Sequence, residues 1–163
     1  MPATRTSRRS DRPGERRDGV QWLSDLIRLE IVLWGRIDAR LKEKHGLPLS
    51  SFESLSFISR SHEHGLRVGE LAEALGVTVG GTSKLVDRIE RSGLIRREPD
   101  PDDRRASRVA LTPDGQRTLA AAVETYEAEL ASVLDGVLGR TEQALLHSLV
   151  ARLLASTREG ASS

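Results

Sequence analysis

The sequence predicts a mainly α-helical protein with one small β-hairpin, in which a compact central segment is flanked by long helices. Within residues 67–92, two short stretches repeat apolar residues at helical spacing. Just after them, residues 94–98 and 107–111 resemble two short strands separated by a turn-rich segment. The flanks, at about 20–44 and 112–157, carry apolar residues at helical spacing over many turns.

The central segment is predicted to form two short helices joined by a tight turn. In the first, Val68, Leu71 and Leu75 share one face, and Gly76 supplies the turn. The second runs from about Thr78 to Ser92. Its repeating face consists of Thr82, Leu85, Val86 and Ile89. Because Gly93 can end this helix, the whole segment has the helix-turn-helix pattern.

A wing is predicted directly behind the second helix. Residues 94–98 and 107–111 are the two strands, and the Pro99–Ala106 segment between them is rich in proline and charged residues. Two packed helices alone are weak evidence for DNA binding. Here, however, the two helices and their turn are followed by a hairpin with a basic tip. This order favours a DNA-binding domain over a pair of helices that merely pack together.

These motifs resemble the winged-helix core of the MarR family of bacterial transcriptional regulators. The resemblance rests on Leu-Ala-Glu-Ala-Leu-Gly-Val from Leu71, on Val-Asp-Arg-Ile-Glu-Arg-Ser-Gly-Leu-Ile from Val86, and on Asp103-Arg-Arg followed by Leu111-Thr and Gly115. Flanking helices extend it to about residues 20–157. The resemblance implies a homodimeric regulator of transcription, expected to be a ligand-responsive repressor.

The predicted organisation has four parts. Residues 1–18 form a disordered, arginine-rich arm, which is either a solvated tail or a source of extra phosphate contacts. Residues 19–48 and 113–157 form a helical dimerisation region. Residues 49–112 form the winged helix-turn-helix domain, and residues 158–163 are a tail.

Local signals place the boundaries of the flanking helices. The first is expected from about Val20 to Lys44, and the second to start with a capping box at Ser50–Glu53 and to end near His62. After the wing, Thr112 and Pro113 are a good helix start. A heptad seam then follows at Leu119, Val123, Tyr126, Leu130, Val133 and Val137. The last helix starts at Thr141.

The apolar surfaces of the first and last helices exceed what a small winged domain needs. We therefore expect these helices to build a homodimer, although an ordinary helical core in a monomer would explain part of the pattern. A two-fold dimer presents two recognition helices, so the expected partner is double-stranded DNA with a palindromic operator, its half-sites roughly 10 bp apart.

The predicted DNA contacts lie on the second helix and on the wing. Those on the helix are Thr78, Gly80, Gly81, Thr82, Ser83, Lys84 and Arg88. Gly80 and Gly81 each cost about 1 kcal/mol of helix stability relative to alanine, so they either allow close approach of the backbone to the groove or mark a helix that reads few bases. On the wing, Arg104 and Arg105 can enter a narrow minor groove. The resemblance implies an ion pair between Asp103 and Arg105, which leaves Arg104 as the groove residue.

The resemblance also implies a small effector, often an aromatic or phenolic anion, bound between the dimerisation helices and the winged domain. Arg28, Trp34 and His62 are the candidate pocket residues, although such a tryptophan can equally be core and such a histidine a surface cap.

Composition and missing motifs limit other functions. The net charge is +1, so a field that attracts DNA must come from local clusters of charge. The absence of cysteine excludes disulfides and a thiol redox switch. No run is long and apolar enough to span a membrane, and a cytoplasmic location is expected.

Catalysis is not expected, and no cofactor is predicted. The sequence has neither a glycine-rich phosphate loop nor a nucleophile motif. Two alternatives stay open. One is a metal-responsive sensor that uses His62 and His64 if their segment is extended, although no metal site is predicted. The other is an architectural protein that binds DNA without regard to sequence.

Overall fold

The computed structural model describes the backbone of residues 13–61, 65–103 and 106–160, and the side chains of residues 19–61, 65–103 and 106–157. The elements, in chain order, are α1 Pro13–His45, α2 Leu49–Arg60, β1 Leu66–Arg67, α3 Val68–Leu75, α4 Val79–Arg91, β2 Ile95–Pro99, β3 Ser107–Leu111, α5 Pro113–Leu134 and α6 Arg140–Gly160. This order confirms the predicted mainly helical fold with a small antiparallel wing. The chain divides into two compact units after Gly35, within α1.

The described part of the first unit is the α1 helix up to Gly35. This helix begins at Pro13, a residue whose fixed backbone angle suits the first helical position. Residues 13–18, which we predicted in a disordered arm, are therefore helical, and residues 1–12 lie outside the described residues. The large apolar side chains that α1 leaves exposed are Val20, Trp22, Leu23, Leu26, Ile27, Leu29, Ile31, Val32 and Trp34.

The core of the second unit lies between α2, α3, α4, α5 and the sheet. Its most deeply buried large side chains include Leu41, Leu55, Leu71, Ile89 and Val109. Phe52 of α2 stacks on Tyr126 of α5 with 5.0 Å between the ring centroids. Fully burying such side chains stabilises a fold by about 1.5–3 kcal/mol each, so this cluster joins the helix-turn-helix pair to α2, which packs on α5.

The N-terminus of α2 differs from the predicted capping box. The helix begins at Leu49, with Pro48 as its N-cap and no capping side chain of its own. Instead, Asp38 of α1 accepts a hydrogen bond from the backbone N–H of Leu49 at 2.9 Å. Lys42 binds the other oxygen of this carboxylate at 2.6 Å. Lys42 first, and then the Leu49 N–H, lower the pKa of Asp38 below its ordinary value.

Three antiparallel strands form the sheet, in the order β1-β3-β2. Strand β3 pairs with β2 from Ile95↔Leu111 to Pro99↔Ser107, which confirms the predicted hairpin. Strand β1 was not predicted, because its two residues are too short to show an alternating pattern. It pairs with β3 through Leu66↔Val109.

Helix α5 starts where the sequence predicts and ends earlier. The Thr112 hydroxyl accepts a hydrogen bond from the Gly115 N–H at 3.0 Å, and Pro113 is the first helical residue. The helix ends at Leu134, so Val137 lies in the following turn with 78% of its surface exposed. The prediction that Val137 belongs to the heptad seam is therefore wrong. The residues that α5 buries are Gly115, Leu119, Ala122 and Thr125.

Helix α6 exposes most of its apolar side chains. It begins at Arg140, one residue before the predicted Thr141. The exposed apolar residues are Leu145, Leu146, Leu149, Val150, Leu153 and Leu154. Within the part of the chain that the structure describes, no helix is both long enough and apolar enough to cross a membrane.

Candidate nucleic-acid interface

Helix α4 presents one face to the core and the opposite face to solvent. Thr82, Val86 and Ile89 are buried. Gly80, Lys84, Asp87 and Arg91 follow one another at spacings of three and four residues and are exposed. Thr78 precedes the helix, and its hydroxyl accepts a hydrogen bond from the Gly81 N–H at 3.2 Å, which confirms the predicted cap. A capped helix with an exposed outer face can enter a DNA groove.

Thr82 is not available to DNA in this structure, so its prediction as a DNA contact is wrong. Its exposed fraction is 0%. Its hydroxyl donates to the backbone oxygen of Thr78 at 3.1 Å, one turn back. Threonine can occupy a buried helix position in this way because the backbone satisfies its only polar group.

The other predicted positions on α4 are more accessible. Lys84 and Arg88 are exposed. Among the described residues, neither side chain has a hydrogen-bond or ion-pair partner, so both charges are available to a phosphate. The Ser83 hydroxyl donates to the Val79 oxygen at 2.9 Å and keeps its lone pairs as acceptors. Gly80 has no neighbouring atom within 4 Å of an added Cβ.

The tip of the wing contains the remaining predicted contacts. Arg104 and Arg105 lie outside the described residues, so the pair of Asp103 with Arg105 stays a prediction. Strands β2 and β3 place this tip after α4 in the chain, as the sequence predicts.

Asp100, the first residue after β2, anchors the loop of the wing, a role that sequence reasoning missed. It is 2% exposed. One of its oxygens accepts hydrogen bonds from Arg67 Nε at 2.6 Å and Arg108 Nε at 2.8 Å. The other accepts from the Asp102 N–H at 2.9 Å. Arg67 first, and then the Asp102 N–H and Arg108, hold the pKa of Asp100 well below its ordinary value.

Arg97 of β2 joins the wing to α4, and it was also missed. Its guanidinium lies 2.5 Å from a carboxylate oxygen of Asp87 and pairs as well with Glu90. The Arg97 backbone N–H donates to Glu90 at 3.1 Å. These contacts raise the pKa of Arg97, with the hydrogen bond to Asp87 as the largest cause. The helix and the wing strand are therefore held together by charge.

The predicted effector residues are not brought together. In the first unit, Trp34 lines an open hollow of about 440 Å³ with Glu30, Ile31 and Gly35. Arg28 is exposed on the same helix but does not line that hollow. His62, together with His64, lies outside the described residues. Among the side chains of residues 19–61, 65–103 and 106–157, no group of three or more histidine, cysteine or acidic residues could hold a metal ion.

Comparison with protein families and curated proteins points to one family. Residues 45–106 match the family model described as MarR family. The chain is 37% identical over 93 residues to the transcriptional regulator HosA of Escherichia coli O111:H-, covering 55% of this chain and 66% of HosA. It is 28% identical over 100 residues to an uncharacterized HTH-type transcriptional regulator, YfiV, of Bacillus subtilis, covering 61% of this chain and 62% of YfiV. The chain thus spans just under two thirds of the length of these curated relatives.

Comparison with solved structures points to the same family. Sco3205, a MarR family transcriptional regulator from Streptomyces coelicolor crystallised in complex with DNA, is 26% identical with a TM-score of 0.74. That match covers 85% of this chain and 86% of Sco3205.

Proposed function

This chain belongs to the MarR family of transcriptional regulators, and on that premise we propose that it is a regulator that binds double-stranded DNA as a homodimer. The observation that carries the proposal is the outer face of α4, where Lys84 and Arg88 are exposed beside a capped helix N-terminus. Helix α4 is the recognition helix and enters the major groove. The complex of Sco3205 with DNA supports the proposal of DNA binding.

The predicted contacts other than Thr82 divide into groups by their role on DNA. The helix start at Thr78 favours a phosphate, because its free amide groups and the helix dipole attract anions. Gly80 and Gly81 allow close approach of the backbone to the groove. Ser83 and Lys84 contact bases or phosphates, and Arg88 holds the DNA backbone. From the sequence alone, Arg104 and Arg105 are assigned to the minor groove beside the wing.

Selection from a pool of random duplexes tests the proposal. The protein should enrich an inverted repeat with half-sites about 10 bp apart. Excess random duplex should leave binding to the selected repeat intact, whereas an architectural protein would be displaced. If no repeat is enriched, the proposed function is wrong.

Two variants test the assignment of α4. Arg88→Ala should reduce the slope of log K against log salt by about one if it contacts a phosphate. Arg40→Ala is the control, because it removes one partly exposed arginine, paired with Glu43, from α1 instead. If the two variants show the same slope of log K against log salt, Arg88 does not contact DNA.

The homodimer is proposed from the exposed apolar faces of α1 and α6. Trp22 and Ile31 of α1 are 59% and 60% exposed, and Leu145 and Leu153 of α6 are 58% and 54% exposed. Burial of such side chains against a second copy removes them from water, which is the main favourable term in protein association.

We further propose that a small aromatic or phenolic anion regulates DNA binding as the effector of a repressor. Trp34 lies beside an open hollow in α1, so its fluorescence is the signal that would report a bound effector. A bound effector lowers DNA affinity only to the extent that it prefers a conformation unable to bind DNA. Titration of aromatic acids should quench tryptophan fluorescence and release the selected duplex. If no acid in the panel quenches the fluorescence or releases the duplex, the effector proposal is wrong. The proposal that the protein binds DNA is not changed by that result.

A further inference from the structure

A carboxylate lies in the middle of the face that α4 presents to solvent. Asp87 shares this face with Gly80, Lys84 and Arg91, and its side chain is 53% exposed. Glu90 lies beside it with a side chain 34% exposed. On a helix that approaches DNA, two unpaired carboxylates would be repelled by phosphates across a short distance.

Arg97 is placed to cancel both charges. Its guanidinium reaches Asp87 at 2.5 Å and also pairs with Glu90. Its backbone N–H holds Glu90 as well, at 3.1 Å, which fixes the strand beside the helix. An arginine stays protonated at every physiological pH, and its planar group can hold two carboxylates at once.

We propose that Arg97 is a positioning residue for DNA binding, an internal counter-ion that neutralises Asp87 and Glu90 and holds the wing strand against the recognition helix. This inference rests on the proposed function. Arg97 need not touch DNA, because it acts by removing repulsion from the face that does.

The neighbouring arginine provides a matched control. Arg96 lies on the same strand and has the same charge, but it pairs with Glu98 of its own strand at 2.6 Å and with the Leu111 oxygen at 3.0 Å. Arg96→Gln therefore removes one positive charge from the wing without exposing a carboxylate of α4.

The test measures affinity for a duplex that the wild-type protein selects, at about 50 mM and about 200 mM salt. Arg97→Gln should bind at least about tenfold more weakly than Arg96→Gln at the lower salt, and the gap should narrow at the higher salt because mobile ions screen repulsion. A third variant, Arg97→Gln with Asp87→Asn and Glu90→Gln, should recover most of the affinity. Far-ultraviolet circular dichroism checks that each variant is folded.

Three results would count against the proposed role of Arg97, each for a different reason. If Arg97→Gln and Arg96→Gln bind equally at both salts, Arg97 is not a counter-ion for DNA binding, although the proposed function stands. If the triple variant stays as weak as Arg97→Gln, the role is geometric and the proposed neutralisation is wrong. If the wild-type protein selects no duplex, the proposed function fails and this inference fails with it.

Discussion

Gly115 and Gly80 are both helical glycines, but different surroundings explain them. A Cβ built on Gly115 would lie 1.9 Å from the backbone oxygen of Leu94, so the start of α5 packs directly against the residue that precedes β2. A Cβ on Gly80 would meet no atom within 4 Å. Packing within the protein therefore requires glycine at position 115 and does not require it at position 80.

Gly115→Ala should lower the free energy of unfolding by about 1–3 kcal/mol, the usual cost of overpacking. The backbone of Leu94 cannot move away without disturbing the hydrogen bond from the Thr112 N–H to the Leu94 oxygen, at 3.0 Å. Urea unfolding, followed by circular dichroism, measures the change in the free energy of unfolding. Gly69→Ala, in the first turn of α3 with open space around its Cβ, is the control. Equal unfolding midpoints for the two variants would contradict the packing argument.

Gly80→Ala should act in opposite directions on stability and on DNA affinity. Alanine favours a helix over glycine by up to about 1 kcal/mol, so the free protein should become more stable. If the helix backbone approaches the groove closely, the added methyl group should weaken binding to the selected duplex. Thermal unfolding and fluorescence anisotropy measure the two effects. A stabilised variant with unchanged affinity would show that close approach is not the reason for this glycine.

Residues whose partners are close in sequence were predictable, and residues whose partners are distant were not. Thr78 and Thr112 cap helices through amides three residues away, so the sequence alone predicts them. Asp100 binds Arg67, 33 residues earlier, and nothing in the sequence separates it from Asp102 or Asp103. Thr82 was misassigned because a threonine on a repeating apolar face can be either a buried residue or a polar contact.

At the scale of elements, Asp100 and Arg97 attach the wing to its surroundings. Asp100 ties the loop after β2 to Arg67, at the start of α3, and to Arg108 of β3. Arg97 ties the first strand of the wing to α4. The hairpin was predictable from its alternating strands, but these attachments depend on three-dimensional proximity. They tie the wing to α3 and to the recognition helix α4.

The attachment at Asp100 should make the wing sensitive to acid. The pKa of Asp100 is lowered on folding, so its ion pairs contribute fully above the ordinary value of 3.8 and are lost as the pH falls below it. Asp100→Asn should therefore be less stable than the wild-type protein at neutral pH and should lose less stability on acidification. Urea unfolding at a series of pH values measures this.

Asp102→Asn is the control for the acid experiment, because Asp102 is exposed and its backbone N–H, which binds Asp100, is kept. This variant should follow the wild-type pH profile. If Asp100→Asn follows that profile too, the buried carboxylate does not anchor the wing.

At the scale of the whole molecule, α1 and α6 carry apolar surface that the rest of the chain leaves exposed. Trp22 and Ile31 of α1 and Leu145 and Leu153 of α6 are each more than half exposed. The periodicity of both helices was evident in the sequence. Their partners were not, because a pattern of apolar residues shows that a face needs covering and not what covers it. A second copy of the chain is the proposed partner, and it would also place two α4 helices on one duplex.

We propose that two copies of α4 bind one operator. The most direct measurement is the mass of the complex with the selected duplex, determined by light scattering together with a hydroxyl-radical footprint. We expect two chains per duplex and two protected regions about 10 bp apart on one side of the DNA. One chain per duplex, or protection with no preferred site, would contradict the account.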